Sequence, residues 1–418
     1  FSNHTLSNVS NATVSNGGES YKSGSGLNSY FGRANYDFDQ KYLLTLTARI
    51  DGSSKFAKEN KYAFFPAAAV AWRISNEKFL AESHVINQLK FRASYGLTGQ
   101  QDFGPYQWRT LYETDAYADD PSIILSQLGN DRLKWETTKQ LDLGIDFSIF
   151  NNVVSGGLGY YEKNTEDAIF PVKTPGNTGV TSVLANVGST ENKGVEVFLD
   201  VNLFNKKDFA WNVSVNATHN KNRLTQIGAD YKDDDGFIVG FPGLGGGRLR
   251  EGSPIGLIYG FEANGIFQNQ SEIDVLNDAA PEGVYQEEGT APGDLRFNDI
   301  SGPEGVPDGV VNDFDQTVIG DSQPDLFGGF TSTWSYKNFT LATQFSYSIG
   351  NELLWFSQTR AINFTNTFFS ENKTTEIFNA WTPENPTNQP RIVYKDPNNN
   401  IELLCTRCFL FAIKHIKP

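Results

Sequence analysis

The stretch Lys134–Lys163, KWETTKQLDLGIDFSIFNNVVSGGLGYYEK, decides the fold. Leu141, Leu143, Ile145, Phe147 and Ile149 alternate with Gln140, Asp142, Gly144, Asp146 and Ser148. Successive side chains on a strand point to opposite faces, so this period of two makes one apolar face and one polar face. Asn151 and Asn152 then supply a tight turn, and Val154, Gly156, Leu158 and Tyr160 open a strand running back. The unit is a β-hairpin, and most of the chain repeats it.

Upstream, Ser29–Phe38 runs into Lys41–Ile50 across Asp39 and Gln40, and a strand follows from Ala63 to Ile74. The connection Ser75–Gln88 reads as helix-like around Glu77–Ala81. The strand Leu89–Leu97 then places Phe91, Ala93 and Tyr95 on one face, before a long loop, Thr98–Arg132. Downstream, a loop is expected over Thr165–Thr190. Gly194–Leu203 and the strand carrying Trp211, Val213, Val215 and Ala217 pair across Asn205–Asp208. The interval Asn220–Gln323 is rich in Gly and Asp. A last hairpin joins Leu326–Tyr336 to Phe339–Tyr347, and Glu352–Trp381 reads as mixed with some helix.

Composition agrees with a β architecture. Of 418 residues, 39% are hydrophobic, 13% are aromatic and 39 are Gly, and no Pro- or Ser-rich linker divides the chain. The net charge of −15 points away from nucleic acid, which demands a basic face. No apolar run reaches the roughly 18 residues of a transmembrane helix, but barrel strands cross in about 9–11 residues with alternate positions apolar. The absence of Met leads us to expect a fragment, and the absence of Cys before residue 405 fits an exported protein.

Connection lengths supply an orientation. Tight turns near residues 39, 151, 205 and 337 alternate with much longer loops, as in outer-membrane barrels with short periplasmic turns and long extracellular loops. The expected fold is therefore all-β, an antiparallel transmembrane barrel with Leu141, Leu143 and Ile145 facing lipid and Gln140, Asp142 and Asp146 facing the lumen. A soluble secreted carbohydrate-binding β protein, or a passive porin or adhesin, is the alternative. No nucleophile, base and orienting group come together, so no enzyme is expected.

Several segments resemble the C-terminal half of SusC/RagA-type TonB-dependent transporters of Bacteroidetes outer membranes. They include YFGRANYDFDQKYLLTLTARIDGSSKFA, FFPAAAVAWRISNEKFL, LKFRASYGLTGQQ, LKWETTKQLDLGIDFSIFNN, NKGVEVFLDV, PIGLIYGFEANGIFQNQSEI, GDLRFNDISG, VVNDFDQTVIGDSQPDLFGGF and NAWTPENP, in the family's order from Ser29 to Asn385. The resemblance implies part of a 22-stranded barrel lacking its plug domain and energy-coupling box. It also implies uptake of oligosaccharides or peptides, a SusD-like surface lipoprotein as partner, and energy coupling through a TonB-type protein in a lipid-embedded receptor.

Candidate sites are few. In DISGPEGVPDGVVNDFD, residues Asp299, Ser301, Asp308, Val310 (through its carbonyl), Asn312 and Asp315 follow the alternating oxygen pattern of a Ca²⁺ or Mg²⁺ loop, interrupted by GPEGVP. Tyr106, Trp108, Tyr112 and Tyr117 are candidates for stacking on substrate at the barrel mouth. KDDD at Lys232–Asp235 reads as a solvated charge run, and the Gly-rich segment Phe241–Arg248 reads as a loop rather than a phosphate cradle. Cys405 and Cys408 form a CxxC. However, codons for Ile401–Lys414 can be chosen so that reading one base later gives SSSYVRDASYLRLN, which resembles the family's strand at that place. Residues 1–400 are therefore expected to be the partial barrel, and 401–418 a frame-shifted, non-native tail.

Overall fold

The computed structural model describes residues 22–117, 120–232, 236–237, 249–354, 361, 372–393, 405–407 and 410–413. The strands in chain order are β1 (Leu27–Phe38), β2 (Tyr42–Ser53), β3 (Tyr62–Arg73), β4 (Ile86–Gln100), β5 (Leu111–Tyr117), β6 (Asp120–Gln127), β7 (Glu136–Ile149), β8 (Val154–Lys173), β9 (Ser182–Lys206) and β10 (Phe209–Ile227). They continue as β11 (Leu257–Gly260), β12 (Ala263–Ile266), helix α1 (Gln270–Ala279), β13 (Leu295–Phe297), β14 (Thr317–Asp321), β15 (Leu326–Tyr336), β16 (Phe339–Ile349), β17 (Glu352–Leu354), β18 (Cys405–Arg407) and β19 (Leu410–Ile413). Eleven strands form one antiparallel sheet in the order β1-β2-β3-β4-β7-β8-β9-β10-β15-β16-β19.

The β7–β8 hairpin lies in the middle of this sheet. Leu143 pairs with Ala93 and Tyr160, and Ile145 with Phe91 and Leu158, so one face is continuously apolar across three strands. That face is bare: Ile145 is 41% exposed, and Tyr95, Leu158, Val195 and Val197 are exposed as well. So much contiguous apolar surface is incompatible with water and fits hydrocarbon. The opposite face carries Lys90 against Asp146 and Ser94 against Asp142. The inward and outward assignments made from the sequence follow from this alternation.

Short turns close one end of the sheet. Asp39 and Gln40, then Phe150, Asn151 and Asn152, and Lys337 all adopt the left-handed backbone that two-strand turns require, with φ between 51° and 63°. Next to these turns the outward side chains become aromatic. Tyr36, Phe38, Tyr42 and Trp72 follow one another with ring centroids 6.4–6.5 Å apart. On the far side Phe204, Trp211 and Trp334 stack at 6.0 Å. Aromatic rings at this height form the girdle of a membrane interface. A β-bulge between Trp211 and Asn212 shifts the register here and turns Phe204, rather than Leu203, outward to meet Trp211.

Other expectations about local structure need correction. The segment Glu77–Ala81 is not helical; a 3₁₀ turn, Ile74–Asn76, is followed by hydrogen-bonded turns. The run is too short to offset helix nucleation, and Glu77 is held by side-chain bonds instead. Thr165–Thr190 is mostly strand, because β8 and β9 pair up to Lys173 and Ser182. β9 has 25 residues, about 80 Å of strand, whereas crossing a bilayer takes about 9–11 residues. The upper part of the hairpin therefore stands above the lipid, where no apolar face is demanded and the period of two fades. Thr98–Arg132 contains the β5–β6 ribbon, and Asn220–Gln323 contains α1 and two short ribbons, β11–β14 and β12–β13. In Glu352–Trp381 the described residues hold β17 and a 3₁₀ turn, Thr375–Asn379; 355–360 and 362–371 lie outside the described residues.

Much of the packed core sits at the long-loop end. Phe56, Phe65, Leu133 and Trp135 form one cluster, with Phe103, Ile169 and Leu184 against it. Leu224, Ile227 and Leu249 form a second, and Val172, Ala185 and Val187 a third.

Two outcomes test this arrangement. Leu158→Arg, on the outward face, is expected to lower folding stability in bilayers by about 2–4 kcal/mol, whereas Gln140→Arg on the inward face is expected to cost much less. Both are measurable by denaturant unfolding in vesicles. At the rim, Glu77 accepts bonds from the Tyr42 hydroxyl (2.8 Å) and the Trp72 indole (3.1 Å), with Lys41 at 3.6 Å. These, led by Tyr42, hold its carboxyl below the ordinary range. A depressed folded-state pKa gives stability that is complete above the unfolded value of about 4.3 and lost as pH falls through the folded value. Acidification through that window is expected to shift Trp72 fluorescence in a single-Trp variant, and Glu77→Gln to remove the transition.

Candidate functional site

The inward face of the sheet is a wall of bonded polar groups. Low on the wall, Lys90 and Arg92 reach Asp146 at 2.7 and 3.3 Å, and Asp142 accepts from Ser94 (3.3 Å) and Gln140 (2.9 Å). Two strands away Asp200 accepts from Ser214 (2.6 Å) and Asn212 (2.9 Å). Higher up, Tyr161 donates to Asn220 (2.7 Å), and Asn220 and Asn222 both donate to Asn192, at 3.4 and 2.8 Å. Toward the long loops neutral amide and hydroxyl groups join the charges, with Lys163 lying over the Tyr161 ring at 4.8 Å.

Glycines make this wall shallow. A Cβ at Gly144 would lie 2.5 Å from Arg92 Cζ, and one at Gly194 would collide with the Tyr161 hydroxyl. Their absence lets Arg92 and Tyr161 lie along the sheet. Phe198, on the same inward face, is half exposed and adds an apolar contact. Sequence reading missed Tyr161, Asn192 and Asn220 as a group. The period of two already places Asn192, Gly194, Glu196, Phe198 and Asp200 on one face, but only the cross-strand register brings Asn192 to Asn222.

The loops form a second layer. Helix α1 starts at Asn269, whose side chain accepts from the Glu272 amide (3.2 Å), while Glu272 accepts from Gln268 (3.1 Å). Asp294, fully buried, binds Arg391 through two bonds of 2.5 and 2.9 Å, and Trp381 donates to Gln268 at 3.0 Å. The segment 380–391 is thereby clasped to the loop that carries α1.

All six residues of the predicted cation loop come together, and their carboxylates face backbone amides. Asp315 accepts from Ile300 (2.7 Å), Ser301 (3.0 Å) and Asn312 (2.7 Å). Asp299 accepts from Asp308 (3.3 Å) and Gly309 (2.6 Å), and Asp308 accepts from Val310 (3.1 Å). Tyr285, whose hydroxyl is pushed up by burial, donates to the Phe297 carbonyl (3.0 Å) and accepts from the Asp299 amide (3.2 Å). Among the described residues no group of three or more His, Cys, Asp or Glu converges as a metal site. These bonds give the loop a structural role: three carboxylates stand in for the missing ladder partners of an irregular backbone.

Of the aromatic candidates, Trp108 donates its indole N–H to the Ser54 carbonyl (3.3 Å) and stacks under Arg109 at 4.3 Å. Tyr106 is in the same turn, and Tyr112 is 66% exposed on β5. Tyr117 ends β5, and its side chain lies outside the described residues, as do Asp233–Asp235, the Gly-rich segment and Cys408.

Residues 1–266 match a family model described as TonB dependent receptor-like, beta-barrel. The chain is 37% identical over 394 residues to TonB-dependent receptor P3 of Formosa agariphila, covering 92% of this chain and 37% of that protein. It is 32% identical over 360 residues to TonB-dependent receptor SusC of Bacteroides thetaiotaomicron, covering 83% of this chain and 33% of that one. Among solved structures, the RagAB peptide transporter is similar, with a TM-score of 0.75, 25% identity, and coverage of 93% of this chain and 40% of that chain. The chain spans about two fifths or less of the length of these relatives.

Asp315→Asn, which turns a pure acceptor into a group that also donates, is expected to destabilise the loop by about 1–3 kcal/mol. Faster hydrogen exchange at the amides of Ile300, Ser301 and Asn312 is the readout. Calcium or a chelator is expected to leave exchange in the unaltered loop unchanged, whereas protection gained on adding calcium supports the cation reading.

Proposed function

The chain belongs to the TonB-dependent receptor-like β-barrel family and lies in the outer membrane, and from that premise we propose that it is part of the wall of an importer for large polar nutrients, oligosaccharides or peptides. The observation that carries this reading is the upper wall, where Tyr161, Asn192, Asn220 and Asn222 present amides and a hydroxyl beside Lys163 at the long-loop end. Such groups exchange hydrogen bonds with hydroxyl- or amide-rich polymers without the desolvation cost of unpaired charge. The family is one of receptors rather than enzymes.

A SusD-like lipoprotein is the proposed partner over the loop layer, and a TonB-type protein the proposed energy source. Similarity to the RagAB peptide transporter and to SusC supports both. The soluble carbohydrate-binding alternative is set aside by family membership and by the bare apolar face. The passive-porin alternative differs in one measurable respect, its independence of membrane energisation.

The test is uptake by cells carrying the full-length receptor, with labelled oligosaccharides and peptides compared. Saturable uptake that stops with an uncoupler is expected, and uptake that persists after uncoupling favours the porin. The pair Asn192→Leu and Asn220→Leu is expected to reduce uptake several-fold while the receptor remains folded, by the unchanged shift of the barrel on unheated gels.

A further inference from the structure

Outside the lumen, one patch of the outward face breaks the pattern of the rest. Along β10 the outward residues run Trp211, Val213, Val215, Ala217, His219, Lys221 and Arg223; along β9 they run Val201, Leu199, Val197, Val195, Lys193 and Glu191. The register sets Val195 beside His219, Lys193 beside Lys221 and Glu191 beside Arg223. Two like charges directly opposite each other on neighbouring strands destabilise the pair. Lys193 is neutralised by Glu191 (2.9 Å) and Glu162 (3.5 Å). Lys221 and Arg223 are exposed and have no ion-pair partner among the described residues. In a chain of net charge −15, this is an unbalanced positive spot.

Its height is informative. Trp211 lies in the aromatic girdle at the short-turn end, and Lys221 is ten residues along the same strand. At about 3.3 Å per residue and a tilt of about 40°, that separation is about 25 Å of membrane depth, the height of the apolar band of an outer-membrane barrel. The cations therefore stand where hydrocarbon ends and lipid headgroups begin, directly above Val195, Val197 and Val215.

We propose that Lys221 and Arg223 bind the phosphate of an outer-leaflet lipid whose acyl chains lie on the valine stripe below. The membrane-confined phosphate is favoured over free phosphate for a physical reason. Two exposed cations hold an ion in bulk water weakly, but a lipid brings apolar contact and a high local concentration to the same spot. The inference does not depend on what the receptor transports.

The test uses the full-length receptor in detergent and native mass spectrometry, with diphosphoryl lipid A as probe beside its dephosphorylated form. Selective retention of the phosphorylated form is expected. K221Q/R223Q is expected to weaken it about thirty-fold, each cation at a lipid surface contributing about a fivefold factor, and K221R/R223K to keep it. Equal retention of the two lipids by the unaltered receptor, or undiminished retention by K221Q/R223Q, overturns the proposal. The comparison on the unaltered receptor decides the matter even where the Gln variant fails to fold.

Discussion

Hydrocarbon offers no hydrogen bonds, so every backbone N–H and C=O inside a bilayer must find a partner within the protein. An antiparallel sheet meets that demand strand by strand, and its side chains then face lipid and lumen at alternate positions. The β7–β8 hairpin shows both consequences at once. Its ladder is continuous from Ile149 and Val154 up to Thr137 and Glu166, with apolar side chains on one side and Asp142, Asp146 and Arg92 on the other. The same demand makes β1 and β19, the two edges of the sheet, places where further strands are needed to close a wall.

From that constraint the vertical layering follows. Aromatic rings gather at the short-turn rim, where Glu77 holds Tyr42 and Trp72 in place and the bulge brings Phe204 to Trp211. Valine and leucine fill the band above. Charged residues return on the outward face at Glu162, Lys193 and Lys221, and beyond them the β8–β9 hairpin and the loops pack cores of their own around Trp135 and Leu224. The molecule thus buries most of its conventional core outside the bilayer, since inside it the lipid does the covering.

Legibility in the sequence tracks this layering. Where one face meets lipid, a period of two is enforced, and the strands around Leu143, Val197 and Val213 are readable from that alternation alone. Above the lipid the constraint lapses, and Thr165–Thr190 passes for a loop although it is paired strand. Short segments such as Glu77–Ala81 mislead because a few apolar residues suit a turn as well as a helix. The lumen site was half legible: the inward position of Asn192 follows from parity, but its meeting with Asn222 depends on register across a turn. The acidic loop stands out in the sequence by its spacing, yet spacing alone could not say that Asp315 would spend its oxygens on the amides of Ile300, Ser301 and Asn312.

The central claim is that β7 crosses a bilayer with its odd residues in lipid and its even residues in the lumen. Spin labels placed singly from position 141 to 147 in the full-length receptor, reconstituted in vesicles, test it most directly through their collisions with oxygen and with a water-soluble nickel complex. The account predicts that oxygen accessibility peaks at 141, 143, 145 and 147 and falls at 142, 144 and 146. Uniform access of the nickel complex to both sets, with no alternation, would contradict it.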